Sequence, residues 1–241
     1  MASDTRVTLI PWDPQSPSHR AWLLQQRDEC GWDREKVNGV WIDYQTQGIK
    51  SIFWIVLPED KQDSAYDETQ QSFEEDQQSS DTQPLFLRDT AQSLKGVSRQ
   101  PTHVKFQPVG HISLDSDNPG VERVGVTSSA PGMFWIKTFF VSKTVQSRGV
   151  GRAAMEELEL MATSAPLSAR VLVLDVVLGE DQMREDFALA TYGTLPKFST
   201  EQWYLRRGYS PFQTAQNFYD VVDRSGKRWD MRTVFMKKEI Q

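Results

Sequence analysis

"MFWIKTFFVSKTVQSRGVGRAAMEEL", residues 133 to 158, passes through three kinds of sequence in one run. Met133 to Ser142 is aromatic and β-branched, the composition of a strand. The residues from Ser142 to Arg148 are largely polar and lead to glycines at 149 and 151. A helix-forming stretch follows to about Ala162, with Ala154, Met155, Leu158 and Met161 at helical spacing. Gly149 and Gly151 let the backbone bend tightly and approach a ligand, while the N–H groups that open a helix have no intrahelical partners. Those amides and the helix dipole make an anion site, and Arg148 and Arg152 add charge that suits phosphate. A plain strand-to-helix turn would use the same glycines for sterics alone, so the two glycines leave both readings open.

The sequence around this run alternates strands and helices. "RVTLIPW", 6 to 12, reads as a first strand closed by prolines. Ser16 or Ser18 then caps a helix through "HRAWLLQQRDEC", stopped by Gly31. A second helix is expected over 33–47, weakened at Asn38 and Gly39. "KSIFWIVLP", 50 to 58, is a strand. From 59 to 84 the chain is dominated by Glu, Asp, Gln and Ser, too polar to offset its ordering entropy. Residues 59–84 are therefore expected to be disordered, within a low-complexity acidic insertion over 59–101 of a single domain over 1–241, with "LFLRDTAQSL", 85 to 94, as a short docking helix at the end of the disordered stretch. Strands return at 103–115, bent near Pro108 and Gly110, at 133–142, and at 169–178, where a nearly continuous apolar run suits a strand buried on both faces. "FSTEQWYLRRGY", 198 to 209, supplies a Ser/Thr cap, a short helix and a glycine stop. "NFYDVVD" and "WDMRTVFMKKE", joined at "RSGK", read as a closing antiparallel pair. This order specifies an α/β (α+β) fold, a mixed sheet with helices on its faces.

Composition excludes several classes of function. A mean hydropathy of -0.54 and apolar runs far shorter than the ~20 residues of a membrane span argue against membrane insertion. One cysteine, Cys30, forbids an intramolecular disulfide or a cysteine-rich zinc site, and the three histidines lack metal-ligand spacing, so no metal is expected. A net charge of -6 disfavours nucleic acid as a partner and suits a cationic or amine-bearing one. The N-terminus shows no basic region followed by an apolar one, so the expected location is cytoplasmic, with a nuclear one equally compatible.

"GVGRAA" also fits the G-x-G-x-x-A of a dinucleotide fingerprint, with Asp175 about twenty residues on. That fingerprint places its first glycine directly after an apolar strand, whereas the seven residues "SKTVQSR" intervene here. It also needs several further parallel strands, and the remaining sequence does not supply them.

The pattern Gln146-Ser147-Arg148-Gly149-Val150-Gly151, Q-x-x-G-x-G after a strand and before a helix, resembles the coenzyme A pyrophosphate loop of the GNAT superfamily of N-acetyltransferases. "WYLRRGYSPF", 203 to 212, is similar to that family's helix-then-Gly-aromatic segment, with Tyr204 four residues before Gly208. "PVGHISL", 108 to 114, is similar to its third strand. The resemblance implies a mixed, mostly antiparallel central sheet of about seven strands flanked by helices, with acetyl-CoA as acyl donor. It implies that the strand ending "FFVS" parts from "VLVLDVV", and that backbone groups near Phe140, Val141 and Ser142 hold the pantetheine arm and the thioester carbonyl. The amides of Ser147, Arg148, Gly149, Val150, Gly151 and Arg152, with Gln146, would take the pyrophosphate.

By the same resemblance Tyr204 is the general acid that reprotonates the departing thiolate, and transfer is by direct attack of a primary amine, without a covalent enzyme intermediate. The amine's proton is expected to go to Asp175, directly or through water, with His111 as a second candidate. The acceptor is a small-molecule amine or a peptide amine. A GNAT-like module that binds acyl-CoA without transferring it is the alternative. The family's usual asparagine after the fifth strand is missing, with Glu180 near its place. The longer connection at 179–198 is expected to be a loop forming a lid over the acceptor site.

Overall fold

The β-branched and aromatic runs of the sequence form strands in the computed structural model, which describes residues 6–58, 86–223 and 225–241. These are β1 (Thr8–Pro11), β2 (Lys50–Val56), β3 (Leu87–Arg88), β4 (Ser93–Leu94), β5 (Val97–Ser98), β6 (Lys105–Phe106), β7 (Pro108–Asp115), β8 (Met133–Val141), β9 (Val171–Val177), β10 (Ser210–Gln216), β11 (Val221–Val222), β12 (Arg228–Trp229) and β13 (Arg232–Glu239). Seven of them hydrogen-bond in the order β1, β2, β7, β8, β9, β13, β10. The β8–β9 pair is parallel, while β1–β2, β2–β7, β9–β13 and β10–β13 are antiparallel. The mixed, mostly antiparallel seven-strand sheet is thus the one expected.

The helices are α1 (Pro17–Cys30), α2 (Val40–Thr46), α3 (Val150–Ala162), α4 (Gly179–Gln182), α5 (Glu185–Tyr192) and α6 (Thr200–Leu205). Helix α1 begins where Ser16 accepts a hydrogen bond from the His19 N–H, with Pro17 at its first position. It stops at Gly31, whose left-handed φ of 84° lets its N–H close on Arg27 O at 2.8 Å. The second helix is shorter than expected: Arg34–Lys36 forms a 3-10 turn and α2 starts only after Gly39, the residue with least helical preference there.

The chain divides into two compact units. The first comprises residues up to Ser116 together with Ile136–Ser168. Its core gathers Ile10, Trp12, Leu23, Trp41, Ile52, Trp54, Leu87 and Phe106, all buried, with α1 and α2 packed on β1 and β2. Fully buried Trp12 and Trp54 each withdraw a large apolar surface from water, an effect of about 2–3 kcal/mol apiece. The second unit comprises Asp117–Trp135 and Ala169–Gln241. Trp135, Val173, Phe218 and Phe235 form one cluster there, and Phe187, Val221, Trp229 and Met231 another.

Three expectations about local structure are corrected. The short helix at 85–94 does not form; residue 85 lies outside the described residues, and the rest forms β3 and β4, paired with β6 and β5. The reason is Asp89, which is buried and whose carboxylate collects both Arg99 amino groups (2.6 and 2.8 Å) and the backbone and hydroxyl of Thr102 (2.8 and 2.7 Å). Residues 86–101 of the expected insertion are thus held by these bonds, and the disorder expected over 59–84 lies outside the described residues. The closing antiparallel pair is also different. β13 pairs with Ser210–Gln216, and "NFYDVVD" contributes only β11 to a small hairpin with β12. β10 is exposed at nearly every position, so it carries no hydrophobic alternation to read. Finally, 179–198 contains α4 and α5 in place of a loop. Asp181 accepts the Arg232 backbone N–H at 2.7 Å and pairs with the Arg232 guanidinium at 2.6 Å, and Glu180 pairs with the same guanidinium.

Burial alone would raise the Asp89 pKa, but the hydrogen bonds from Arg99 and Thr102 and the Arg99 charge outweigh it and hold it at about 2. The folded value lies below the unfolded 3.8, so this carboxylate stabilises the fold above about pH 4 and the contribution is lost as pH falls through 2. Asp89→Ala, which strands a buried part of Arg99, is expected to lower stability by about 3 kcal/mol in urea denaturation at pH 7. The difference from the parent should shrink towards pH 2, and a pH-independent difference would rule this account out.

Candidate active site

In the first unit the glycine turn is built as its sequence demands. Val145 N–H bonds to Ser142 O at 3.1 Å and Gln146 N–H to Lys143 O, making a 3-10 turn after β8. Ser147 then enters the left-handed region with φ 64°, and Gly149, at φ 85°, caps α3. The first backbone bond into α3 runs from Ala153 N–H to Gly149 O at 3.0 Å. Among the described residues no backbone carbonyl accepts from the amides of Ser147, Gly149, Val150, Gly151 or Arg152, and no side chain caps the helix. Residues 146 to 149 are exposed, and Arg152 is exposed in an i,i+4 pair with Glu156. Five amides within six residues at a helix N-terminus, with Arg148 and Arg152 in the same run, form a surface that fits a pyrophosphate. The apolar side of α3, with Val150, Ala153, Ala154 and Leu158, is buried, and this fixes the direction of its N-terminus.

Two of the residues proposed for donor binding have other duties. The Ser142 N–H donates to Val109 O at 2.9 Å, so its amide is engaged in holding β8 to β7. The Gln146 side chain donates through Nε2 to Val141 O at 2.8 Å and braces the turn against the end of β8. Gly110 on β7 lies so close to the Phe140 carbonyl that a methyl group there would collide with it, which explains a glycine inside a buried strand. Phe140 is buried, as core packing requires, and Val141 is half-buried.

The β8–β9 ladder registers three pairs, Met133 with Val171, Phe134 with Leu172 and Trp135 with Val173. Within β8, Thr138 has a φ of 48°, a left-handed kink in a strand, and its hydroxyl donates to Ser113 Oγ at 2.9 Å. A β-branched residue held in that region is strained, and such strain collects at functional sites. Nothing in the sequence around Thr138 announces it.

His111 is fully buried, and both ring nitrogens are occupied: Nδ1 lies 2.7 Å from Gln26 Oε1 and Nε2 3.2 Å from the Arg27 guanidinium. Gln26 Oε1 accepts and Arg27 donates, so the ring is neutral with its proton on Nδ1. Burial, and then the charges of Arg27 and Lys50, hold its pKa well below the ordinary value. The second candidate for the base is therefore a structural hydrogen-bonding residue.

In the second unit, α6 is set by a full capping box, Ser199 accepting from the Gln202 N–H and Gln202 from the Ser199 N–H. That start places Tyr204 on the buried side, 6% exposed, edge-on to Trp203 and Tyr209. Burial raises the phenol pKa above its usual range; the Arg207 charge opposes this and Asp175 adds to it. Among the described residues no group hydrogen-bonds the Tyr204 hydroxyl. Asp175, half-buried on β9, is paired in register with Phe235 and accepts a hydrogen bond from the Tyr219 hydroxyl at 2.6 Å. Tyr204 and Asp175, 29 residues apart in sequence, are thus brought within electrostatic reach of each other. Tyr219 was not legible as a site residue, because one tyrosine beyond an exposed strand carries no pattern.

Among the described residues, no group of three His, Cys, Asp or Glu side chains is arranged to hold a metal ion, and no helix is long and apolar enough to cross a membrane.

Comparison with known proteins adds to this geometry. No curated protein matches the chain in sequence. Among solved structures, NAA60 of Arabidopsis thaliana in complex with a bisubstrate analogue is similar at 14% identity and a TM-score of 0.50, covering 98% of this chain and 99% of that one. The aminoglycoside 6'-N-acetyltransferase of Enterococcus faecium is similar at 11% identity and a TM-score of 0.50, over 97% of each chain. The spermidine/spermine N-acetyltransferase SpeG of Vibrio cholerae is similar at 8% identity and a TM-score of 0.50, covering 97% of this chain and 92% of that one. At such identities these likenesses establish the fold alone. The sequence model described as the Acetyltransferase (GNAT) family matches residues 47–188, which contain the whole glycine turn and Asp175 but end before Tyr204. With more than half of its length inside that match, the chain belongs to the GNAT acetyltransferase family.

Proposed function

We propose that the protein is an acetyl-CoA-dependent N-acetyltransferase acting on a primary amine by direct attack. The observation that carries this reading is the turn leading into α3, exposed at residues 146 to 149, where the amides of Ser147, Gly149, Val150, Gly151 and Arg152 have no backbone or capping partner among the described residues. The amides of Ser147, Gly149, Val150, Gly151 and Arg152 would bind the pyrophosphate, with Arg148 and Arg152 adding charge. Gln146 would hold the turn in shape. Backbone groups of Phe140 and Val141 would pair with the pantetheine arm and donate to the thioester oxygen as it gains charge. The donor supplies an activated acyl carbon to which the acceptor nitrogen bonds as the carbon–sulfur bond breaks.

The remaining chemistry is two proton movements. Asp175 would take the proton that the amine loses, directly or through water, and the Tyr204 hydroxyl would give one to the departing sulfur. A phenol kept protonated by burial suits the second task, because it donates only as charge builds. An acceptor that arrives as a cation suits the acidic balance of the chain. The amine-directed enzymes sharing the fold, one for aminoglycosides and one for spermidine and spermine, support an amine as the acceptor class.

Calorimetry with acetyl-CoA, followed by thiol release and mass spectrometry over polyamines, amino sugars and peptides with free N-termini, tests the reading. Binding together with acetylation of at least one amine is the expected result. Binding with no thiol release for any amine would replace the enzyme by a module that holds acyl-CoA.

A further inference from the structure

We infer that Tyr219 is a positioning residue for the reaction, acting through Asp175. This rests on the assignment of Asp175 as the proton acceptor. The Tyr219 hydroxyl donates to Asp175 Oδ2 at 2.6 Å, the length of a charge-assisted O–H to carboxylate bond. Such a bond fixes the rotation of the carboxylate and so the direction from which its oxygens meet a proton.

Tyr219 is itself held on a built turn. Asn217 takes the left-handed region with φ 49°, its N–H bonds to Met231 O at 2.9 Å, and its side-chain oxygen accepts the Met231 N–H at 3.0 Å. The same side chain donates to Asp230 Oδ1 at 3.0 Å, so the chain leaving β10 is closed against the start of β13. The next residue, Phe218, is buried against Phe235 at 5.2 Å between ring centroids, and the Arg123 guanidinium lies over its ring and donates to its carbonyl. Tyr219 then stands edge-on to Phe218 at 4.7 Å. Backbone and ring are thus anchored before the hydroxyl reaches Asp175, although Tyr219 is 40% exposed.

The carboxylate end is equally constrained. Val173 and Val177 flank Asp175 on one face of β9, Val173 in the cluster of Trp135 and Phe235 and Val177 against the cluster of Phe187 and Trp229. The Tyr219 phenol is a hydrogen-bond donor that the fold brings to this carboxylate. A proton acceptor displaced by an ångström loses much of its rate while substrate affinity is kept. The part of Tyr219 that matters is therefore its oxygen.

Two measurements on the full chain test this. The Tyr219 13Cζ NMR resonance, assigned by its loss in Tyr219→Phe, is compared between parent and Asp175→Asn. Turnover of acetyl-CoA with spermidine, an aminoglycoside and a peptide with a free N-terminus is measured for Tyr219→Phe, Asp175→Asn and the double variant. The resonance is expected to move in Asp175→Asn. Tyr219→Phe should lower kcat about tenfold with the KM for acetyl-CoA within twofold, and the double variant should be no slower than Asp175→Asn. An unmoved resonance, parental kcat in Tyr219→Phe, or multiplicative losses in the double variant would each overturn the positioning role. Parental kcat in Asp175→Asn with a shifted resonance would instead remove Asp175 as the proton acceptor, and with it any role of Tyr219 in turnover, while leaving the hydrogen bond itself established.

Discussion

Tyr204→Phe is expected to lower kcat about a hundredfold while the KM for acetyl-CoA changes less than threefold, because proton donation by a positioned side chain contributes on the order of 10²–10⁴. The substitution removes one oxygen and keeps the ring that packs edge-on against Trp203 and Tyr209, so the melting temperature should stay within a few degrees. The phenol's raised pKa sets the sign of the pH dependence. Its protonated form is the working one, and that form persists up to and beyond the ordinary tyrosine value of 10.0, so Tyr204 should cause no loss of rate below that pH. An alkaline limb near pH 8 belonging to Tyr204, or turnover unchanged in Tyr204→Phe, would end its assignment as the acid. The family match stops at residue 188, so this variant tests a residue whose role rests on motif and geometry alone.

Gly149→Glu should weaken acetyl-CoA binding more than a hundredfold, a loss of about 2.7 kcal/mol, measured by calorimetry. Two effects act in the same direction. A φ of 85° is costly for a side chain, and a carboxylate at the mouth of α3 competes with phosphate for the same amides. Gly149→Asn separates them, since asparagine tolerates the left-handed region and carries no charge. It should bind acetyl-CoA within about tenfold of the parent. Equal losses in both variants would show that the backbone turn, and not the anion site, had been tested. Normal affinity in Gly149→Glu would remove the turn from the donor site.

How much of this was legible in the sequence depended on the distance over which each signal acts. The cap of α1, narrowed to Ser16 or Ser18, its stop at Gly31, the Ser/Thr cap of α6 and the tight turn at Gly149 are each specified within four residues, and these were readable. The buried strands β2, β8 and β9 were readable because apolar β-branched runs have few other places to go. β10 was not, because the edge strand Ser210–Gln216 is exposed at every position but Ala215 and leaves no periodic trace. The helices of 179–198 were missed for a related reason: α4 has four residues, and ion pairs to Arg232 hold it more than its own propensity does.

The candidate site divides along the same line. The sequence by itself determined a mixed sheet with helices and the position of the glycine turn, since each depends on residue type and short spacing, while the proposed roles of the turn's amides and of Tyr204 came from the family resemblance of their motifs. Only the tertiary structure decided that His111, 84 residues from Arg27, is a neutral acceptor locked in the core, that Thr138 kinks β8, and that the Tyr219 hydroxyl, 44 residues from Asp175, donates to its carboxylate. These depend on hydrogen bonds between residues far apart in the chain, and such bonds exist only once strand pairing and core packing have fixed both partners in place.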